Sequence, residues 1–192
     1  MYIFQSTLNT RQITENCMKY IRSDVPVTVS ESERLWLLEN NVTTVVDLRT
    51  EEERARKPCP LTEDSRFSYY FFPISGGDRV PDTPDGVSRS YIRMADEAFD
   101  ELIEFLMNAS TNVLYFCNAG KDRTGVVSAA LLYKLGKPIG HIVDDYMKSK
   151  ECLEAWLEEL SAHNPSIDLE VITPHKRYIQ EFMDWYINRE KS

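Results

Sequence analysis

The sequence predicts an α/β fold, a central, mostly parallel sheet flanked by helices, in a single domain spanning residues 1–192. Apolar, β-branched segments alternate with amphipathic segments along the chain, as they do in α/β proteins. The composition shows no break that would divide the chain into separate domains. Hydrophobic residues at 42% and aromatic residues at 11% suffice for one full core and exclude disorder.

The first helix is predicted from a capping box. Ser30 stands three residues before Glu33, a spacing at which each side chain can bond the backbone amide of the other residue. The helix is expected to end near Asn40. Its predicted buried side consists of Leu35, Trp36 and Leu38. The other tryptophans, Trp156 and Trp185, also fall at helical apolar positions and are expected in the core.

Two strands are predicted next. Residues 42–49, VTTVVDLR, are β-branched and apolar in the middle, so they predict a buried strand with Asp47 and Arg49 at its carboxyl end. These two side chains are expected to form a structural ion pair. The charged residues that follow, EEERARK at 51–57, are expected on the solvated face of a helix. Residues 67–74, FSYYFFPI, predict the second strand.

The second half of the chain is predicted to be mainly helical. Residues 75–86 are rich in Gly, Pro and Asp and predict a loop, whereas residues 87–108 predict one long amphipathic helix. Residues 112–117 predict a third strand. A buried helix over residues 124–135 follows and ends at Gly136. The later helices are predicted at residues 139–149, at residues 152–160 and from Thr173.

The charge and hydropathy of the chain limit its partners. A formal net charge of −9 argues against nucleic acid or an anionic membrane as the main partner, because either would favour a basic surface. The longest apolar run, VVSAALLY, is too short to span a bilayer, and MYIFQSTLNTRQ lacks the features of an export signal. We therefore expect a cytoplasmic protein without stable membrane insertion.

The four cysteines indicate neither a metal site nor a disulfide framework. They are Cys17, Cys59, Cys117 and Cys152. No two of them form a C-x-x-C pair, and no histidine stands at metal-ligand spacing from them. The sequence therefore predicts no metal and no cofactor, and a reducing compartment in which a free thiol persists.

The segment CNAGKDRTG has the features of a phosphate-binding loop at residues 117–124. Cys117 is the last residue of a predicted strand and Thr124 opens a predicted helix, so the amides between them can bind a dianion at the positive end of the helix dipole. Gly120 permits a backbone turn with positive φ, and Gly125 permits close packing of the first helical turn. Arg123 adds a planar fork that can hold two phosphate oxygens. The substrate-binding residues are predicted to be Asn118, Ala119, Gly120, Lys121, Thr124 and Gly125.

The same loop indicates a catalytic role for Cys117. The loop amides, the helix dipole and Arg123 all favour the thiolate over the thiol. A thiolate beneath a bound phosphate monoester is placed for in-line attack on phosphorus, and water would then hydrolyse the cysteinyl-phosphate. The Thr124 hydroxyl can hydrogen-bond the departing sulfur. No metal is needed, because Arg123 and the amides offset the equatorial charge.

Three segments of the sequence resemble the protein-tyrosine phosphatase superfamily. CNAGKDRTG at 117–125 is similar to the loop C-x-A-G-K-D-R-T-G of the microbial tyrosine phosphatases, VVDLRTEEE at 45–53 to the family segment D-L-R-x-x-x-E, and IVDDYMKS at 142–149 to its post-loop helix. The resemblance implies a phosphatase fold with Cys117 as nucleophile and Arg123 as phosphate clamp. Phe116 departs from the family pattern, which has a histidine there that helps to order the loop.

Two acids are candidates for protonating the leaving oxygen. Asp122 is preferred, because it is covalently tied to the nucleophile's loop and its equivalent is a proposed acid in relatives with a K-D-R loop. The alternative is Asp78, which shares the predicted mobile loop with Asp82 and Asp85. Lys121 is expected on the rim of the phosphate loop, where it would pair with Asp122, meet a second phosphate or remain solvated.

Several functions remain open at this point. The leading hypothesis is a phosphatase that hydrolyses phosphotyrosine, with phosphoserine and phosphothreonine as wider substrates. Ala119 and Lys121 resemble the loops of lipid-acting relatives and motivate a phosphoinositide phosphatase. Phe116 motivates a pseudophosphatase that binds a phosphoprotein without turnover. The expected partner is accordingly a phosphorylated protein or a phosphoinositide, and the oligomeric state is left open.

Two other cysteine chemistries explain less of the sequence. A rhodanese-like sulfurtransferase also uses a cysteine loop, but its loop lacks the R-T-G that opens this helix. A Cys–His hydrolase would leave Arg123 and the loop glycines unexplained. Its candidate histidines are His141, His163 and His175.

Overall fold

The computed structural model describes residues 3–76 and 80–191, in which five strands form one sheet. The strands are β1 (Arg11–Thr14), β2 (Cys17–Asp24), β3 (Val42–Asp47), β4 (Ser68–Phe71) and β5 (Asn112–Cys117). Their order in the sheet is β1-β2-β5-β3-β4. Only β1 pairs antiparallel, with β2, and the three other pairings are parallel. The predicted α/β fold with a mostly parallel central sheet is confirmed.

Helices cover both faces of this sheet. They are α1 (Glu31–Glu39), α2 (Glu51–Arg56), α3 (Pro84–Met94), α4 (Glu97–Asn108), α5 (Asp122–Lys134), α6 (Ile139–His163), α7 (Leu169–Ile172) and α8 (Lys176–Glu190), with a short 3-10 helix at Pro60–Glu63. The larger apolar cluster joins one face of the sheet to α3, α4, α5, α6 and α8, and a smaller one lies on the other face with α1. No helix in the described residues is long and apolar enough to cross a membrane.

The alternation of β5 decides which side chains enter which cluster. Successive side chains of a strand point to opposite faces. Tyr115 and Cys117 accordingly belong to the larger cluster, whereas Leu114 and Phe116 belong to the smaller one. Adjacent residues of the predicted site therefore lie in different environments.

The hairpin of β1 and β2 has no counterpart among the predictions. The β2 segment CMKYIRSD lacks a clear alternation of apolar and polar residues, because the charged residue Arg22 occupies a fully buried position. Asn16, at φ 54°, turns the chain between the two strands. A buried arginine looks like a surface residue in a hydropathy pattern, and this one is accommodated by an ion pair with Asp145.

Several predicted helix boundaries are wrong. Residues 87–108 form two helices rather than one, because the Asp96 side chain caps α4 by accepting a hydrogen bond from the amide of Phe99 at 3.0 Å. Conversely, residues 139–163 form a single helix, since nothing between its two predicted parts breaks it. The last helix begins at Lys176 after the short α7, and not at Thr173.

The first helix has the predicted cap and a different buried side. Ser30 and Glu33 form the capping box, and the helix ends at Glu39 with Asn40 as its C-cap. Its buried residue is Leu37, whereas Leu35 is 47% exposed. Trp36 and Leu38 are only partly buried at the edge of the smaller cluster. The expectation of a core tryptophan also fails at Trp156, which is 37% exposed on α6.

The carboxyl ends of three parallel strands meet at one edge of the sheet. Asp24 at the end of β2 pairs in register with Cys117, and Asp47 at the end of β3 pairs with Phe116. Ligands of open α/β sheets bind outside such carboxyl ends. The fold therefore places the predicted phosphate loop at the edge where a site is expected.

Candidate active site

The loop after β5 makes a tight turn before α5. The helix begins at Asp122, two residues earlier than predicted, so Arg123 and Thr124 lie in its first turn. Gly120 has a φ of 63°, a conformation that favours glycine. A Cβ there would stand 2.5 Å from backbone atoms of Ser23 and Asp24. Both the conformation and the contact with β2 therefore require glycine at position 120.

The carbonyl groups of the loop are occupied by the protein, whereas its amides are not. The Asn118 carbonyl accepts from the amide of Val25 at 3.3 Å, and those of Ala119 and Gly120 accept from Asn9 Nδ2 at 3.0 and 2.9 Å. The amides of residues 118–121 donate no hydrogen bond to any residue the structure describes. They remain available to an anion at the N-terminus of α5.

Arg123 is held by a bidentate ion pair with Glu53. Its side chain is 3% exposed, and Nη1 and Nη2 donate to the Glu53 carboxylate at 2.6 and 2.7 Å. Nη1 also faces the Leu48 carbonyl at 3.4 Å. A guanidinium has five N–H donors, so the edge formed by Nε and Nη2 keeps two parallel donors for another ligand. Burial opposes the positive charge, but the hydrogen bonds that Arg123 donates to Glu53, together with the nearby negative charges, outweigh it and raise the pKa of Arg123.

Glu53 connects α2 to the loop, and the expectation of a solvated helix face is wrong at this residue. Its carboxylate accepts from Arg123 and, at 2.5 Å, from Asn118 Nδ2. It also closes a capping box with Thr50, whose amide donates to it at 2.8 Å. Burial opposes its ionisation, yet the hydrogen bonds from Arg123 and Thr50 lower the pKa of Glu53. The family segment D-L-R-x-x-x-E contains this glutamate and was the signal that could have identified it.

Phe116 is a packing residue on the face of the sheet opposite Cys117. It is fully buried in the smaller cluster, with the Arg49 guanidinium 5.3 Å from the centre of its ring. The Cys117 side chain is 3% exposed and belongs to the larger cluster. Where the family has histidine, this chain therefore has an aromatic ring that packs in the smaller apolar cluster and faces the Arg49 guanidinium.

Thr124 and Gly125 open the helix beneath the loop. The Thr124 hydroxyl is buried without a hydrogen-bond partner in the described residues, which leaves it free to donate to a group bound in the loop. At Gly125 a Cβ would lie 3.2 Å from the ring of Tyr146. The close packing predicted at this glycine is therefore present.

Asp122 is fixed at the edge of a surface pocket. Its Oδ1 accepts from the hydroxyl of Tyr91 at 2.6 Å, and Tyr91 lies 2.8 Å from the hydroxyl of Tyr146. Because Tyr91 donates its one proton to Asp122, Tyr146 must donate to Tyr91. Burial, followed by the charge of Asp122, raises the pKa of Tyr91, so this donor stays protonated. The Asp122 side chain is 31% exposed and lines the pocket together with Val87.

Lys121 does not project from the rim of the loop as expected. It is 7% exposed, and its Nζ donates to the carbonyl of Ile172 in α7. The predicted pairing with Asp122 is present at 3.4 Å. The lysine therefore ties the loop to α7, and neither a solvated role nor contact with a second phosphate fits this position.

Three of the remaining predicted residues, Asp47, Arg49 and Asp85, have structural partners. Asp47 and Arg49 form the predicted ion pair at 2.7 Å, with both side chains fully buried. Asp85 pairs with Arg177 at 3.1 Å and its side chain is 74% exposed, whereas the alternative acid, Asp78, lies outside the described residues.

The histidines and the other cysteines give no second catalytic centre in the described part of the chain. No histidine there hydrogen-bonds to Cys117, and His141 and His163 bond to backbone carbonyls. All four cysteines are free, and no cluster of His, Cys, Asp and Glu among the described residues could hold a metal ion.

Three solved structures are similar to this chain, and the first of them supports the fold. The human tyrosine phosphatase-like serine/threonine/tyrosine-interacting protein has a TM-score of 0.53 at 14% identity, covering 94% of this chain and 97% of the other. Pseudomonas aeruginosa TpbA gives 0.49 at 19% identity, covering 84% and 86%. The core catalytic domain of the PP-IP phosphatase Siw14 of Saccharomyces cerevisiae gives 0.45 at 15%, covering 83% and 94%. At these identities the likeness concerns the fold alone.

The sequence profile of the tyrosine phosphatase family matches residues 6–190. The chain therefore belongs to the tyrosine phosphatase family, as the resemblance of its three segments predicted. A tyrosine-protein phosphatase of Nostoc commune is 29% identical over 136 residues, which cover 66% of this chain. The chain spans 46% of the length of that relative.

Proposed function

We propose that this protein hydrolyses phosphotyrosine monoesters through a cysteinyl-phosphate intermediate at Cys117. The observation that carries the proposal is the state of Arg123. Glu53 occupies its Nη1–Nη2 edge, whereas the Nε–Nη2 edge and the amides of residues 118–121 have no partner among the described residues. Donors that are fixed before the ligand arrives are what a transferring phosphoryl group requires.

In the first step the Cys117 thiolate attacks phosphorus. A sulfur–phosphorus bond forms, the bond from phosphorus to the ester oxygen breaks, and that oxygen takes a proton from Asp122. Arg123 and the loop amides hold the equatorial oxygens. In the second step water attacks phosphorus and gives a proton to the Asp122 carboxylate, the sulfur–phosphorus bond breaks, and inorganic phosphate leaves. The Thr124 hydroxyl, which has no other partner in the described residues, donates to the sulfur as it departs.

Two observations favour a protein phosphatase over the alternatives. The case for a phosphoinositide rested partly on Lys121, but its ammonium group is buried and bound to Ile172. The case for a pseudophosphatase rested on Phe116, whose ring lies on the other face of the sheet. Neither feature removes a donor or the nucleophile from the loop. The relative from Nostoc commune, described as a tyrosine-protein phosphatase, supports the choice of substrate.

The test is release of phosphate from p-nitrophenyl phosphate and then from a phosphotyrosine peptide. We expect the wild type to turn over both and Cys117→Ser to turn over neither, because a hydroxyl is a far poorer nucleophile than a thiolate. Cys59→Ser is the matched control. Its thiol is also buried, and burial raises its pKa to about 11, so we expect this variant to keep its activity.

Three outcomes would contradict the proposal. Appreciable turnover by Cys117→Ser would remove the nucleophile. Loss of activity in EDTA would contradict a mechanism in which Arg123 and amides replace a metal. A preference for a phosphoinositide over the phosphotyrosine peptide would retain the chemistry and overturn the proposed substrate class.

A further inference from the structure

Two residues of the N-terminal hairpin region, which we define as residues 9–24, contact the phosphate loop. They bind its carbonyl groups. Asn9 is fully buried and its Nδ2 donates to the carbonyls of Ala119 and Gly120 at 3.0 and 2.9 Å. Arg22 is also fully buried, and its Nη2 donates to the carbonyl of Gly120 at 2.7 Å. Neither residue belongs to the segments that resemble the family loop.

The geometry of the peptide bond connects these contacts to phosphate binding. In a trans peptide the C=O and the following N–H lie in one plane and point in opposite directions. Donors that hold the carbonyls of Ala119 and Gly120 on one side therefore turn the amides of Gly120 and Lys121 to the other side. Those amides are among the donors that have no partner in the described residues.

A buried ionic cluster keeps the two donors in place. Asp145 on α6 binds Arg22 Nη1 at 2.5 Å and Arg11 Nε at 3.0 Å. Ser149 Oγ accepts from Asn9 at 3.2 Å and from Arg11 at 3.0 Å. Every one of these contacts joins the N-terminal hairpin region to α6 beneath the loop.

The cluster also has an excess of positive charge. Two guanidinium groups share one carboxylate, and two positive charges with one negative charge leave a net formal charge of +1. Burial, followed by repulsion from Arg22, lowers the pKa of Arg11 to about 10, which leaves it charged at neutral pH. Burial opposes ionisation of Asp145, but Arg22 and Arg11 hold its pKa below the ordinary value. The Arg22 charge at the Gly120 carbonyl polarises that peptide and strengthens its amide as a donor.

We infer that Asn9 and Arg22 are positioning residues that set the peptide planes of the phosphate loop, with Asp145 fixing Arg22. The inference rests on the proposed function, because it gives these contacts a role in phosphate binding as well as in folding. Under this inference the N-terminal hairpin region orients the amides of the phosphate loop, which residues 117–125 do not do by themselves.

The test is the inhibition constant of inorganic phosphate against p-nitrophenyl phosphate hydrolysis, measured where circular dichroism shows each variant folded. For Asn9→Ala we expect the constant to rise about tenfold, because two carbonyl bonds that orient the amides are lost. Asn112→Ala is the matched control. It removes a 2.7 Å bond from Asn112 Nδ2 to the Asn40 carbonyl at the far end of β5. We expect it to lower the melting temperature and to leave the inhibition constant unchanged.

A second variant keeps the inference testable if Asn9→Ala does not fold. Asp145→Asn preserves shape, touches no loop atom and removes the charge that orients Arg22, and we expect a rise of at least about threefold in the inhibition constant. Unchanged constants in the folded variants would overturn the inference while the proposed function stands. A wild type that neither turns over p-nitrophenyl phosphate nor binds phosphate would overturn the proposed function itself.

Discussion

Two buried arginines contact the same loop and differ in what their donors meet. Arg22 is fully buried, and its Nη1 and Nη2 donate to Asp145, Ser149 and the Gly120 carbonyl, whereas its Nε has no partner in the described residues. Arg123 is equally well paired, with Glu53, yet it keeps the Nε–Nη2 edge free of partners in the described residues. Both guanidinium groups are held by an ion pair, so the ion pair does not distinguish them, and the proposed ligand role of Arg123 rests on the two donors of its Nε–Nη2 edge.

The two carboxylate partners also differ in how firmly their helices are held. Asp145 lies on α6, a helix of 25 residues with seven buried side chains. Glu53 lies on α2, which has six residues and none that is buried. The scaffold side of the loop is thus anchored in the core, and the ligand side depends on a short helix at the surface. Variants on the scaffold side are expected to weaken phosphate binding through the orientation of the loop, and variants on the ligand side are expected to act mainly on catalysis.

The largest effect is expected from Arg123→Lys, which tests whether the Nε–Nη2 edge of Arg123 binds the phosphoryl group of the substrate. An ammonium group cannot make two parallel hydrogen bonds to the equatorial oxygens, so we expect kcat on a phosphotyrosine peptide to fall about 10²–10³-fold. The measurement is steady-state kinetics beside a thermal melt. A kcat close to that of the wild type would show that Arg123 only braces the loop, as Arg22 does.

The next effect concerns the acid that the loop itself carries. Asp122→Asn is expected to slow phosphotyrosine hydrolysis about 10²-fold and p-nitrophenyl phosphate hydrolysis much less, because only the poorer leaving group needs the proton. The control is Asp85→Asn, since Asp85 is exposed and pairs with Arg177. Equal losses on both substrates would make Asp122 a structural residue and move the search to Asp78.

A smaller effect is expected from Glu53→Gln, which loosens the ligand-side arginine without removing it. The glutamine side chain has the same shape as glutamate but only one acceptor oxygen and no charge, so it cannot accept both hydrogen bonds from Arg123. We therefore expect kcat/KM to fall about tenfold. Glu52→Gln is the matched control on the same helix, because the Glu52 side chain is 83% exposed and its ion pair within the described part of the chain is with Arg56 at 3.6 Å. Equal kinetics for the two variants would contradict the role assigned to Glu53.

The smallest effect is the pH dependence of the same pair. The pKa of Glu53 is lowered on folding from an ordinary value of 4.5, so its ionised form stabilises the fold above that pH, and this stabilisation is lost as the pH falls through the folded-state pKa. We expect the melting temperature of the wild type to exceed that of Glu53→Gln by about 2–4 °C at neutral pH. The difference should shrink as the solution is acidified below pH 4.5. A difference that grows on acidification would reverse the sign of the linkage.

Much of the fold could be predicted from local pattern alone. The strands at residues 42–49 and 112–117 are apolar and β-branched, and they form β3 and β5 of the sheet. The positive φ of Gly120 could be predicted because glycine in a loop favours that conformation, whereas its contact with β2 could not. The capping box at Ser30 could also be predicted, since its two partners are three residues apart.

What the sequence did not reveal depends on contacts between distant residues. Arg22 looks like a solvated charge until α6 brings Asp145 to it, 123 residues away in the chain. Glu53 and Lys121 likewise acquire their roles from Arg123 and Ile172. Hydropathy patterns report apolar burial and cannot report a buried charge whose partner lies elsewhere. The division of residues 87–108 at Asp96 was missed because a cap within a helical pattern resembles an ordinary acidic surface position.

Trapping the covalent intermediate tests the central claim most directly. The wild type is mixed with a phosphotyrosine peptide, quenched with denaturant during turnover, digested at neutral pH and analysed by mass spectrometry. We expect one phosphoryl group on the peptide that contains Cys117, and none in Cys117→Ser treated in the same way. A phosphoryl group on another residue, or turnover without any phosphoryl-enzyme, would contradict attack by Cys117.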